Sequence, residues 1–285
     1  MTQVVEALVR PSSADRSDVK ALEDRGVKIR VADIEGPLEA LVGALAGVDV
    51  LISAIDLKSQ LVQIPLVTAT KKAGVKRFVP CAFTTVAPPG GVMVLRDSKE
   101  EVYQHIRKSY LPYTIIDVGY WYQISFPTLP SGRVDYASLF KTKTAIHNNG
   151  SMPNMFTDLR DIGRFVALII KDTRTLNKSV FAYGELLSEN EVSADEIADA
   201  RASIAARLKA DPTDSSARID MSREDYHYSK YVRGDNTPAY ATYLGYLNAR
   251  ELYPAFKPRT FGDFAQELLD GRLEKPYGQL VFDFA

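Results

Sequence analysis

Residues 74–121 read GVKRFVPCAFTTVAPPGGVMVLRDSKEEVYQHIRKSYLPYTIIDVGYW. The stretch parses as strand, loop, helix, strand. Arg77 to Pro80 is a short apolar run that suits a buried strand. Asp97-Ser98-Lys99-Glu100 has an acid in a cap position and a glutamate three residues on, so the spacing predicts a helix opening at Asp97. Leu111-Pro112 introduces a second strand, Tyr113 to Val118. Two parallel strands joined by a helix form a right-handed βαβ unit. Ligands of open α/β sheets sit beyond the carboxyl ends of such strands. Here those ends carry Pro80-Cys81-Ala82-Phe83 and Gly119-Tyr120-Trp121. A helix opening at Asp97 puts Lys99 in its first turn, where the macrodipole opposes a cation. That position and any burial favour the neutral amine, which makes Lys99 a candidate proton donor or acceptor. A solvated surface lysine has the same spacing.

Upstream, the alternation continues. Val4 to Leu8 reads as a buried parallel strand that ends in Val9-Arg10-Pro11-Ser12-Ser13. Asp18 to Arg25 reads as a helix with Ser17 as its cap, stopped by Gly26. Val27 to Val31 is a strand, and Pro37 to Leu45 a helix with proline in its first turn. Val48 to Ile55 is a strongly apolar strand, and Leu61 to Lys72 a helix closed by Gly74. This order predicts an α/β fold with a doubly wound parallel sheet.

A dinucleotide-binding sheet normally opens with a strand, a glycine-rich turn and a helix. No G-x-G-x-x-G or G-x-x-G-x-x-G occurs in the sequence, and Met1 stands about three residues before a strand that looks like the second of such a sheet. The fold expected is therefore Rossmann-like, lacking its first β-α unit. The missing strand would lie between those at Val4 and Val48. Three explanations are open: an incomplete gene, a strand supplied from elsewhere, or a protein that has given up the dinucleotide. The end of the Val4 strand bears on cofactor choice. NAD enzymes place an acid there, whereas NADP enzymes tolerate or use an arginine. Arg10 occupies the position, with Ser12 and Ser13 as further donors, although a surface arginine after a strand is also ordinary.

Downstream of Trp121 the alternation stops. Tyr122 to Pro130 suits a loop, and Asp135 to Met155 is irregular. Leu159 to Ile170 is a helix, Val180 to Tyr183 a strand, and Asn190 to Leu208 an alanine-rich helix. Ala210 to Asp225 reads as an exposed loop. Thr237 to Leu252 and Phe261 to Leu269 read as helices. The expected division is a nucleotide-binding domain at 1–120, incomplete at its N-terminus, and a mixed substrate-binding lobe at 121–285 with some elements returning to the sheet.

The stretch KRFVP, a loop, a helix with K-x-x-V and a P-Y-T strand resembles the middle section of the NmrA-like, isoflavone-reductase-like family of atypical short-chain dehydrogenases. LPYTIIDVGYWYQIS, TDLRDIGRFVALII and NKSVFAYGE resemble its fungal members, and the resemblance covers roughly residues 4 to 190. It implies an NADP(H)-dependent reductase of a small aromatic or polyketide-like metabolite, with the catalytic lysine falling on Lys99 and the 2′-phosphate contact on Arg10. The expected cofactor-binding set is Arg10, Ser12, Ser53, Ala54, Pro80, Cys81, Lys99 and Gly119. The expected substrate-binding set is Phe83, Tyr120, Trp121, Tyr122 and His147. The family usually has an acid where this chain has Ala82, and its loss removes a polar group from the pocket rim. Two further readings stand beside the reductase: a dinucleotide-sensing regulator without turnover, and a cofactor-independent isomerase or cyclase using the same pocket.

The remaining features limit the function classes. A net charge of −1 offers no nucleic-acid or anionic-membrane surface. One cysteine, Cys81, excludes an intrachain disulfide. His105, His147 and His227 form no metal-binding spacing. No apolar run approaches the ~20 residues of a membrane span, and no signal pattern opens the chain, so a cytoplasmic monomer or homodimer is expected. Tyr226-x-x-x-Lys230 matches the tyrosine–lysine spacing of the larger short-chain dehydrogenase family. With 15 tyrosines in the chain, such a match arises easily by chance.

Overall fold

Phe78 and Val79 have no exposed surface, the burial expected of a strand covered on both faces. They belong to β4 (Arg77–Val79), which pairs in parallel with β3 (Val50–Ile52) through Val50↔Arg77 and Ile52↔Val79. A computed structural model describes residues 4–55, 57–126, 129–138, 152–188 and 194–276. The chain divides into two compact units.

The first unit comprises Met1–Cys81 and Ser98–Thr114. Its second strand pair is β1 (Glu6–Val9) with β2 (Lys28–Val31), parallel in the register Glu6↔Lys28. Helices α1 (Ser17–Asp24), α2 (Leu38–Ala44) and α3 (Gln63–Lys72) alternate with these strands as expected. Gly26 and Gly74 end their helices at φ +82° and +73°, the left-handed stop that glycine makes at least cost. Ser17 does not cap α1: the cap position is Arg16, with no side-chain bond. Phe78 N–H donates to the Pro112 carbonyl at 2.8 Å, which continues the β3–β4 ladder to Tyr113. Among the described residues, β1 and β3 stand in separate two-stranded sheets.

The second unit comprises Ala82–Asp97 and Ile115–Ala285, and the expected boundary at 120/121 falls inside it. One sheet runs β10 (Leu247–Asn248), β8 (Lys178–Phe181), β5 (Thr114–Asp117). The other runs β9 (Glu185–Ser188), β7 (Pro153–Thr157), β6 (Tyr120–Trp121), with β6–β7 parallel and β7–β9 antiparallel. Gly119, at φ +70°, lies between β5 and β6. A Cβ there would come within 2.7 Å of the Met155 carbonyl carbon and 2.9 Å of the Met155 Cβ. Only glycine lets β6 close onto β7.

Helix α4 (Val94–Lys108) opens three residues earlier than the spacing predicts. Its first N–H, from Val94, donates to Asp225 Oδ2 at 3.0 Å. Asp97 serves the preceding loop instead, accepting the N–H groups of Gly90 and Gly91 at 2.7 and 2.8 Å. Downstream, α5 (Leu159–Ile169) matches expectation and is capped by Asp158. The expected loop at 210–225 is largely helix: after α6 (Ala194–Ala210), Asp214 caps α7 (Ser215–His227) by accepting the Ala217 N–H at 2.9 Å. A π-helical turn, Tyr228–Arg233, continues α7. The expected helix at 237–252 is broken at Gly245, φ +84°, into α8 (Pro238–Tyr243), β10 and α9 (Ala249–Leu252). Finally, α10 (Phe261–Leu269) carries a capping box between Thr260 and Asp263.

Candidate functional site

In the first unit, β4 ends at Val79 and delivers Pro80 and Cys81. Cys81 is buried and sits at the hub of a hydrogen-bond set. Its carbonyl accepts from Lys99 Nζ at 2.5 Å, and its N–H donates to Gln63 Oε1 at 2.8 Å. Its thiol donates to the Ile55 carbonyl at 3.3 Å. Lys99 is 2% exposed, so it is not a solvated surface lysine. Its ammonium also donates to Gln60 Oε1 at 3.2 Å. Because α4 begins at Val94, Lys99 lies in its second turn, beyond the reach of the N-terminal macrodipole. Burial and fixed oxygen acceptors replace the dipole as the features that define this lysine.

Ile55 connects this cluster to a cleft of about 280 Å³ at the carboxyl ends of β1 and β3. Leu8, Val9, Ala32, Ile34, Ala54 and Ile55 form its apolar walls, and Arg10 and Ser13 supply its polar groups. Arg10 and Ala54 are thus placed together as the sequence suggests. Ser12 is exposed and does not line the cleft; the neighbouring Ser13 does. Ser53 is 3% exposed and its hydroxyl has no hydrogen-bond partner among the described residues, one residue from the wall at Ala54. A guanidinium, a hydroxyl and apolar walls at strand ends fit the adenosine-phosphate half of a dinucleotide. Among the described residues, no glycine-rich turn stands there for a pyrophosphate.

In the second unit, the aromatic run divides. Tyr122 is fully buried between Phe156, Phe261 and Phe264, and its hydroxyl donates to Glu185 Oε2 at 3.2 Å. Burial, reinforced by the Glu185 carboxylate, pushes its phenol well above the ordinary range. Tyr122 is therefore a core residue and not a ligand wall, because an enclosed ring presents no face to a ligand. Tyr120 and Trp121 are half-buried. Tyr120 meets Phe156 edge-on at 6.0 Å and Tyr226 at 5.8 Å between ring centroids. Lys230 Nζ lies 3.5 Å from the centroid of Tyr120, a cation–π contact, and donates to the Tyr231 hydroxyl at 2.8 Å. The hydroxyls of Tyr226 and Thr84 share a bond of 2.7 Å. Sequence spacing alone gave no reason to trust Tyr226-x-x-x-Lys230, yet both side chains touch Tyr120. Phe83 is half-buried at φ +45°, a strained conformation for a non-glycine residue. Gly119 is explained by its approach to Met155. His147 lies outside the described residues.

His105 Nε2 is 3.2 Å from the Thr68 hydroxyl, a packing contact between α4 and α3. Among the described residues, no group of His, Cys, Asp and Glu could hold a metal ion, and no helix is long and apolar enough to cross a membrane.

A Rossmann-like α/β frame with a buried lysine beside a strand end defines a class of nucleotide-cofactor proteins. Residues 2–265 match the NmrA-like family, and the chain belongs to it. It is 40% identical to the asnovolin J 5′,6′-dehydrogenase of Aspergillus novofumigatus, over 95% of this chain and 88% of that one. It is 28% identical to a probable pinoresinol-lariciresinol reductase of Arabidopsis thaliana, over 92% and 89%. Its fold matches that of the leucoanthocyanidin reductase of Vitis vinifera, solved as a complex with NADPH, with a TM-score of 0.73 and 23% identity over 93% and 91% of the two chains.

Proposed function

We propose that this protein is an NADP(H)-dependent oxidoreductase that reduces a small aromatic or polyketide-like metabolite. The observation that carries the reading is the cleft at the ends of β1 and β3, with Arg10 and Ser13 as its polar groups. The kinship with a fungal dehydrogenase and plant reductases supports the reaction class. Arg10 and Ser13 would hold the 2′-phosphate, where a guanidinium favours a dianion by a charge-assisted bond. When bound, the nicotinamide supplies or accepts hydride. Lys99 would give or take the proton at Nζ, since its ammonium is already held by the Cys81 carbonyl and Gln60. Tyr120 and Trp121 present half-buried aromatic faces suited to a flat substrate.

Fluorescence titration with NADPH and NADH tests the cofactor assignment. NADPH binds at least about tenfold more tightly than NADH in the wild type, and Arg10→Gln removes the difference. Absence of NADPH binding at millimolar levels overturns the assignment. The buried Lys99 ammonium, held by the Cys81 carbonyl and Gln60, would equally serve a second reading, in which the pocket works without a dinucleotide. Product formation with no nicotinamide present decides for it; strict dependence on NADPH decides against it.

A further inference from the structure

Three polar residues in the first unit close a ring around Lys99. Gln60 lies in a 3₁₀ stretch, Leu57–Val62, and Gln63 opens α3. Side chains three apart in a 3₁₀ turn lie one above the other, so the two amides meet. Both are nearly sealed from water, at 4% and 1% exposure. Their orientation follows from the main chain. The Cys81 N–H is a donor, so the group 2.8 Å from it on Gln63 must be the oxygen. The Gln63 NH₂ then faces Gln60, where it donates to the backbone carbonyl at 3.2 Å and to Oε1 at 3.4 Å. Gln60 must therefore turn its oxygen toward Lys99 Nζ, 3.2 Å away. Lys99 closes the ring on the Cys81 carbonyl at 2.5 Å. One backbone N–H thus fixes two amide orientations and, through them, the place of an ammonium.

We infer that Gln60 and Gln63 are positioning residues that hold the Lys99 ammonium against the carboxyl end of β4. This rests on the reading of Lys99 as the proton donor, and it adds two residues to which no role has been assigned. They act through Lys99: an apolar replacement at either position leaves a buried acceptor or donor without its partner and releases the lysine rotamer. The ring also joins the lysine to the cofactor cleft, since the Cys81 thiol bonds to the carbonyl of Ile55, a wall residue.

Amine labelling of the ligand-free protein with trinitrobenzenesulfonate, read by mass spectrometry, tests the ring without any turnover. Lys230 is 1% exposed and lies in the other unit, so it serves as an internal control for folding. Gln60→Leu raises the Lys99 labelling rate by about tenfold or more, the usual effect of losing a hydrogen bond to a charged group. Lys230 stays unchanged. Gln60→Glu, which keeps an acceptor oxygen, retains slow labelling. Gln63→Met, close in volume, gives the same result as Gln60→Leu and covers the case in which that variant does not fold. Lys99 labelling that stays slow in both variants, or that rises only together with Lys230, overturns the inference. In turnover, both apolar variants lower kcat about tenfold with KM for NADPH unchanged. If labelling behaves as stated but the wild type consumes no NADPH with any substrate, the ring stands and the reductase reading fails.

Discussion

On the function proposed above, the chemistry turns on Lys99, and its setting decides what removing it does. A buried ammonium held by two oxygens is already oriented before substrate arrives, so its contribution falls on the chemical step rather than on binding. Lys99→Met keeps most of the aliphatic stem and loses the proton relay. We expect kcat to fall by about 10²-fold or more with little change in KM for NADPH, measured by steady-state oxidation of the cofactor. Gly119 is constrained by packing. Its positive φ and its contact with Met155 leave no room for a methyl group. Gly119→Ala should destabilise the second unit by about 3 kcal/mol, seen as a lower urea midpoint. Lys99 and Arg10 were singled out because the family resemblance placed roles on them; their offsets from a helix start and a strand end alone left surface residues equally open. Gln60 and Gln63 were not, because they lie 39 and 36 positions before Lys99 and form no motif. Lys230 was visible only as a spacing; its contact with Tyr120 joins segments more than 100 positions apart.

At the scale of elements, α4 shows how tertiary structure overrides a local signal. Asp97-Ser98-Lys99-Glu100 has a capping spacing, yet the helix runs three residues further back because Asp225 of α7 accepts the Val94 N–H. Asp225 also pairs with Arg201 at 2.8 Å. Burial raises its carboxyl above the ordinary value, with the Asp97 charge a smaller contribution in the same direction. A carboxyl raised in the folded state binds its proton more readily there than in the unfolded chain, so this group makes stability rise as pH falls through the window from its raised value toward 3.8. Asp225→Asn keeps an acceptor for Val94 and carries no charge. The wild type should therefore gain stability relative to the Asn variant as pH falls through that window, read from paired urea melts. Asp225→Ala loses the cap and strands Arg201, at a cost of about 1–3 kcal/mol at neutral pH. The misread loop at 210–225 has a related cause. Asp211-Pro212-Thr213-Asp214 is a turn by composition, but Asp214 is also the cap of α7, and only the packing of α7 against α6 distinguishes a turn from a helix start.

For the molecule as a whole, strand order was the most legible property and strand pairing the least. Apolar runs and glycine stops place β1 to β5 within three residues at each end. Whether the runs join into one sheet depends on neighbours, and among the described residues β1 and β3 have no ladder to each other. Apolar side chains nearby stay open to solvent: Val4 and Val5 before β1, Val31 in β2 and Ile52 in β3 are 86%, 62%, 51% and 39% exposed. An unpaired edge leaves backbone amides open to water and to other chains. Strand β8, by contrast, is flanked by β5 and β10 and its Val180 and Phe181 are fully buried. Hydrogen exchange should follow this difference, with Glu6 to Val9 exchanging well before Lys178 to Phe181. A ligand in the cleft that touches the ends of both β1 and β3 links two strand pairs that stand in separate sheets, and its binding energy adds to the stability of that region. Saturating NADPH should therefore slow exchange at Leu8 to Ser13 and at Ala54 and Ile55 together, while leaving Lys178 to Phe181 unchanged. NADH, which offers Arg10 no 2′-phosphate, should slow them less, and Arg10→Gln should make the two cofactors equal. Protection confined to one of the two strand ends would mean that the ligand does not occupy the cleft they share.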